Sequence, residues 1–205
     1  VLVCSSVSPD AVDDPDLLAE QLGTAATRAG ERGLRIAYEA LAWGRHVSTW
    51  ERSWDAVRRA DSPALGLCLD SFHVLSRGGD PAGFAAVPGE KLFFLQLADA
   101  PRLAMDVLQW SRHHRLFPGQ GAFDLPGFVA AVLATGYAGP LSLEVFNDVY
   151  RQADPTRTAV DAMRSLQWLD EALTLRDPAS GLAPPPAAPA LSGWSFTELD
   201  VDGVS

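Results

Sequence analysis

Short apolar runs recur along the chain, and each ends on a polar residue able to offer an oxygen. Leu65-Gly-Leu-Cys-Leu runs into Asp70, Leu34-Arg-Ile-Ala-Tyr into Glu39, Lys91-Leu-Phe-Phe-Leu into Gln96 and Leu141-Ser-Leu into Glu144. Runs of this length match single buried strands. Between them the apolar spacing changes to threes and fours. Leu17, Leu18, Leu22, Ala25, Ala26 and Ala29 predict a helix from about Asp16 to Gly30, stopped by Gly30 and Gly33. Trp50, Trp54 and Val57 predict a second helix, capped by Ser48 or Thr49 and reaching about Ala60. The stretch from Phe72 to Val87 carries Gly78, Gly79, Pro81 and Gly83, which predicts two short helical pieces rather than one long helix. Further helices are expected from Leu125 to Thr135, ended by Gly136, and from Thr156 to about Leu175, with Val160, Met163, Leu166, Leu169 and Leu173 on one face.

Strands alternating with helices predict an α/β fold with parallel strands. Val1 to Ser5 reads as the first strand. Glu39 to Asp70 is 31 positions and Asp70 to Gln96 is 26, each close to one strand-plus-helix unit. The 48 positions from Gln96 to Glu144 leave room for a further strand, expected near Arg115 to Phe117. In a β/α barrel such units bring their strand tips to one mouth, where active sites are built. A complete barrel takes about 250 residues. The expectation is therefore a (β/α)8 barrel lacking its N-terminal strands over residues 1–177, closed by the helix that ends near Leu175. Residues 178–193 are rich in proline and alanine and read as a semi-rigid linker. Residues 194–205 contain Trp194-Ser-Phe-Thr-Glu-Leu-Asp-Val201, which alternates like the first strand of another domain.

Charge narrows the partners. With 16 basic against 26 acidic residues the net charge is −10, opposite to the basic face that a phosphate backbone needs. Small-molecule chemistry is favoured over nucleic acid. No run approaches the roughly 18 apolar residues of a membrane span, so a soluble, cytoplasmic protein is expected, and self-association is compatible with the sequence. Cys4 and Cys68 both lie in apolar runs and predict buried, reduced thiols. The chemistry that changes the picture is at the strand tips. Three carboxylates, Glu39, Asp70 and Glu144, with the Gln96 carboxamide form a hard oxygen set suited to Mg²⁺ or Mn²⁺.

Longer signatures surround these tips: Tyr38-Glu-Ala-Leu-Ala-Trp-Gly-Arg-His46, Asp70-Ser-Phe-His73, Leu95-Gln-Leu-Ala-Asp99, Arg115-Leu-Phe-Pro-Gly-Gln-Gly121 and Leu143-Glu-Val-Phe-Asn147. On them the chain, from about Val1 to Leu175, resembles the xylose-isomerase-like barrel superfamily of sugar-phosphate isomerases and epimerases. Within it, the likeness is greatest to the bacterial 3-dehydroshikimate dehydratase family. The resemblance implies one divalent metal ion on Glu39, Asp70, Gln96 and Glu144, with Gln96 replacing a histidine seen in many members. That oxygen-rich set favours Mg²⁺, Mn²⁺ or Co²⁺ over Zn²⁺. It also implies loss of water from 3-dehydroshikimate, a substrate with a carboxylate and a ketone, to give protocatechuate. For that reaction His73 is the expected general base, with an ordinary imidazole pKa near 6.5. His46 is expected to orient substrate or act as a second acid/base. Arg115 would pair with the substrate carboxylate, Ser111 would add a hydroxyl, and Trp43 would wall the pocket. Some bacterial members carry a fused C-terminal domain similar to hydroxyphenylpyruvate dioxygenase, which the tail resembles. The metal ligands alone leave open a sugar or inosose isomerase, epimerase or dehydratase on the same barrel, and a metal- and ligand-binding regulatory domain.

Overall fold

A computed structural model describes residues 1–176, so the linker 178–193 and the domain start 194–205 lie outside the described residues. Five parallel strands form one sheet in the order β1-β2-β3-β4-β5: β1 Leu2–Cys4, β2 Ile36–Glu39, β3 Leu65–Asp70, β4 Leu92–Leu97 and β5 Leu141–Leu143. Sequential parallel neighbours require a crossover after every strand, and helices supply it. After β1 comes α1 Pro15–Gly30, whose first turn is capped by the Asp14 carboxylate accepting from the N–H groups of Asp16 and Leu17. The remaining helices are α2 Trp50–Ala60, α3 Ser71–Leu75, α4 Val107–His113, α5 Leu125–Leu133, α6 Asp148–Gln152 and α7 Pro155–Arg176. Thr49 stands at the N-cap of α2 but its hydroxyl makes no capping bond. The broken stretch after β3 does form two pieces, α3 and a 3₁₀ turn at Pro81–Ala86. Among the described residues no helix is long and apolar enough to cross a membrane.

Strand pleating sorts the residues into two faces. Leu65, Leu67 and Leu69 of β3 alternate with Gly66, Cys68 and Asp70, and the three leucines join the main core with Val57, Phe128, Val129 and Leu169 from the helices. The register places Cys4, Glu39 and Cys68 on one level across β1, β2 and β3, and Asp70, Gln96 and Ser142 on the next across β3, β4 and β5. On β2 and β3 the face toward the barrel interior is thus small and polar, with Ala37, Glu39, Gly66, Cys68 and Asp70, while the helix-covered face of β3 is leucine-rich. That asymmetry positions the site.

Three expectations are corrected. β4 pairs directly with β5, so no strand lies between them. Arg115 to Phe117 instead belongs to a loop after α4, tied by isolated bridges, Leu116 to Asp99 and the preceding His114 to Asn147. The last helix, α7, packs over α5 and α6 and closes no barrel; among the described residues β1 and β5 are the edges of the sheet. Cys4 is exposed rather than buried because β1 is one of those edges, whereas Cys68 is buried.

Candidate metal centre

Each side chain of the candidate centre comes from the C-terminal end of a strand or the first turn after it. Glu39 ends β2 and Asp70 ends β3, Gln96 is the penultimate residue of β4, and Glu144 follows β5. Glu39, Asp70 and His73 are all buried, and one potential ligand atom from each lies within 4.8 Å of the others. Asp70 also caps α3, accepting from Phe72 N–H at 2.7 Å, and this turn returns His73 to the same side one turn later. Gln96 donates from Nε2 to Glu144 Oε1 at 2.9 Å, which links the fourth and fifth strand tips.

The guanidinium hydrogen-bonded into this cluster is that of Arg115, only 1% exposed. Its Nη1 donates to Asp70 Oδ2 at 2.8 Å and to Glu144 Oε2 at 3.1 Å, while Nη2 donates to Ser111 Oγ at 2.8 Å. The guanidinium carbon lies 4.6 Å from the centre of the Phe72 ring. Trp43 meets the His73 ring edge-on at a centroid distance of 4.9 Å. His46 is held elsewhere, with Nε2 on the Ala11 carbonyl at 2.8 Å and Nδ1 3.9 Å from Asp13. It makes no hydrogen bond to the cluster among the described residues. His113 is drawn to Asp148 at 2.9 Å.

Three carboxylates against one guanidinium leave the cluster short of positive charge. Burial, then the neighbouring Asp70 and Glu144 carboxylates, push Glu39 up to about 8. Burial and Asp70 likewise raise Glu144 above the ordinary range, with Arg115 opposing them. Asp70 is held below the ordinary range although burial opposes this, because Arg115, His73 and the Phe72 amide favour its charged form. Burial lowers His73 to about 4, so the imidazole is neutral near pH 7. Glu39 Oε1 is buried without a hydrogen-bond partner, an arrangement that costs free energy unless something positive meets it. An orphaned carboxylate oxygen inside an acidic cluster fits a hard divalent cation.

His73 shares this space with Glu39 and Asp70 and also meets a backbone amide. The Ala42 backbone N–H donates to His73 Nδ1 at 3.0 Å, which places the proton of the neutral ring on Nε2. Nε2 lies 3.5 Å from Asp70 Oδ2, 3.8 Å from Glu39 Oε1 and 3.4 Å from Arg115 Nη2.

Sequence reasoning passed over two features. Asp99, 1% exposed, accepts the backbone N–H groups of Ala100, Gly119, Gly121 and Phe123 at 2.8 to 3.1 Å and so fixes the loop beside the centre. Two glycines spaced for close backbone approach, twenty residues beyond an aspartate at a strand end, were the available signal. The cysteines, expected only as buried, reduced thiols, touch the cluster: Cys4 Sγ lies 3.0 Å from Glu39 Oε2 and Cys68 Sγ 3.1 Å from Gln96 Oε1.

Comparison with known proteins agrees with this architecture. The family model described as a xylose isomerase-like TIM barrel matches residues 2–171. A Pseudomonas aeruginosa protein named 3-dehydroshikimate dehydratase is 59% identical over 210 residues, covering 98% of this chain and 33% of that protein. The chain thus spans about a third of that relative's length. A solved xylose isomerase-like TIM barrel/4-hydroxyphenylpyruvate dioxygenase fusion protein is 56% identical with a TM-score of 0.84, over 91% of this chain and 30% of that one. The IolI protein, solved with a bound zinc atom, shares the fold at a TM-score of 0.75 and 21% identity, over 84% of this chain and 62% of that one. With the strand order, the strand-tip carboxylates and these matches in agreement, the chain belongs to the xylose isomerase-like TIM barrel family.

Proposed function

We propose that this chain carries the site for metal-dependent dehydration of 3-dehydroshikimate to protocatechuate. The observation that carries the reading is the 59% identity, over nearly the whole chain, to a protein named for that activity. The converging Glu39, Asp70 and Glu144 beside His73 and Arg115 support it chemically. Glu39 through Oε1, Asp70, Glu144 and Gln96 would hold one Mg²⁺, Mn²⁺ or Co²⁺. Gln96 presents its nitrogen to Glu144, so ligation through its oxygen needs a half-turn of the carboxamide. That turn opposes two oxygens and is favourable only with a cation between them. When bound, such an ion supplies Lewis acidity to the substrate's ketone oxygen and acidifies the adjacent C–H.

The chain's own groups divide the remaining work. The His73 Nε2–H donates to a substrate oxygen, either the ketone or the departing hydroxyl. Proton removal from carbon then falls to a carboxylate. Glu144 is the most exposed of the three, its side chain being 30% exposed against 4% for Glu39 and none for Asp70. The proton leaves carbon for Glu144, which returns it to the departing hydroxyl so that water leaves, and tautomerisation then gives the aromatic catechol. Trp43 shields the His73 face. Arg115, steadied by Ser111, is the cation for the substrate carboxylate, and this charge separates an acidic substrate from a neutral sugar. The match to a barrel/dioxygenase fusion supports reading residues 194–205 as the start of a second domain of that kind.

The test is to strip the full-length protein with chelator, reload it with Mn²⁺, Mg²⁺ or Co²⁺, and follow protocatechuate absorbance with 3-dehydroshikimate. Metal-dependent product is the expected result. Full activity after exhaustive chelation, or turnover of an inosose but not of 3-dehydroshikimate, would contradict the reading.

A further inference from the structure

Two thiols hold the carboxylate and the carboxamide of the candidate metal centre from behind. Register puts Cys4, Glu39 and Cys68 side by side on three adjacent strands, so a cysteine flanks Glu39 on either side within the sheet. Cys4 Sγ donates to Glu39 Oε2 at 3.0 Å, across two strands whose backbones are already fixed by parallel pairing. The other oxygen, Oε1, has no hydrogen-bond partner and faces Asp70 and His73 from a residue only 3% exposed. The carboxylate is therefore oriented by one oxygen and left free at the other. On the next strand pair, Cys68 Sγ meets Gln96 Oε1 at 3.1 Å from a fully packed position.

We propose that Cys4 is a positioning residue of the metal centre: its thiol anchors Glu39 Oε2 and so presents Oε1 to the divalent ion. This rests on the metal-centre reading above. The physical reason is the general one for groups behind a ligand, whose hydrogen bonds fix its orientation and raise its affinity for metal by about 10–100-fold. A thiol suits the position because an ordinary cysteine keeps its proton near pH 7 and can donate it to a carboxylate oxygen at 3.0 Å. A filler cysteine would show the same packing but would have no reason to place its sulfur on one oxygen of an otherwise orphaned carboxylate.

The test is Mn²⁺ titration by calorimetry on the full-length protein under reducing conditions, with a thermal melt of each variant in chelator. Cys4→Ala is expected to bind Mn²⁺ about 10–100-fold more weakly with a little-changed melt. Cys4→Ser, which keeps a donor, is expected to recover most of the affinity, and Cys4→Val, which keeps the bulk, none of it. Cys4→Ala binding as tightly as wild type overturns the proposal. So does an equal loss in the alanine, serine and valine variants that tracks their melting temperatures, since that pattern belongs to packing alone. Absence of Mn²⁺ binding by the wild-type protein would instead remove the metal-centre reading, and this proposal with it.

Discussion

At the scale of residues, the chemistry turns on His73 and Arg115. Ala42 N–H on Nδ1 makes His73 an Nε2–H donor, so its replacement should separate donor from base. His73→Ala should lower kcat by about 10²-fold or more, whereas His73→Gln, which can place an amide N–H near Nε2 but cannot take a proton, should keep a measurable part of it. Equal loss in both variants would restore the base assignment. Arg115 holds the same Asp70 Oδ2 and Glu144 Oε2 that a metal ion would take. Arg115→Ala should therefore tighten Mn²⁺ binding in calorimetry while raising KM for 3-dehydroshikimate, by an amount worth roughly 1.5–3 kcal/mol for a charged hydrogen bond. Unchanged KM would show that another group meets the substrate carboxylate. The four strand-tip residues were legible because a buried strand that ends in an acid has few structural uses. The tautomer of His73 was not, since it depends on a backbone amide 31 positions away in sequence.

At the scale of elements, the strands were legible because period-two alternation and parallel pairing leave little freedom. Leu65, Leu67 and Leu69 can only face the helices, and Asp70 then points inward with Gly66 and Cys68. The segment between Gln96 and Glu144 was misread because Arg115-Leu-Phe is apolar enough to pass for a strand. β4 and β5 already exhaust each other's pairing edges there. What organises this segment is a long-range side-chain device, the Asp99 carboxylate gathering four backbone N–H groups from a loop that has no regular structure. Asp99→Ala leaves those donors without their acceptor and should cost at least ~2 kcal/mol in denaturant unfolding. Asp99→Asn, which keeps one acceptor oxygen, should cost less. Gly121 belongs to the same device, because a Cβ there would run into Asp99 Oδ1 and the Ala100 backbone. Equal stability of Asp99→Ala and wild type would deny the loop-fixing role.

At the scale of the whole molecule, the sheet concentrates acidic groups at one mouth, and stability should report it. Glu39 is raised from its ordinary 4.5 to about 8, so the folded chain binds that proton more tightly than the unfolded chain. Its contribution is fully present below about pH 4.5 and is lost as pH rises through about 8. In chelator the melting temperature should therefore decline from pH 6 to pH 8.5, and Glu39→Gln should flatten that decline. Added Mn²⁺ should reverse the slope, because the ion binds the ionised carboxylates and only the folded chain assembles them. A melting temperature indifferent to pH and metal would deny that the acidic mouth is a cation site. The fold class was readable from the alternation of strand and helix, while the electrostatic frustration of the mouth appears only once three strand tips are brought together. The central claim is that Glu39, Asp70, Gln96 and Glu144 share one ion, and anomalous diffraction from Mn²⁺-loaded crystals of the full-length protein tests it most directly. A single peak is expected, bonded to oxygens of all four residues at about 2.0–2.6 Å, the range for hard divalent cations, with His73 Nε2 outside the ligand set. A peak bonded to His73 Nε2, or one that leaves out Gln96 and Glu144, would contradict it.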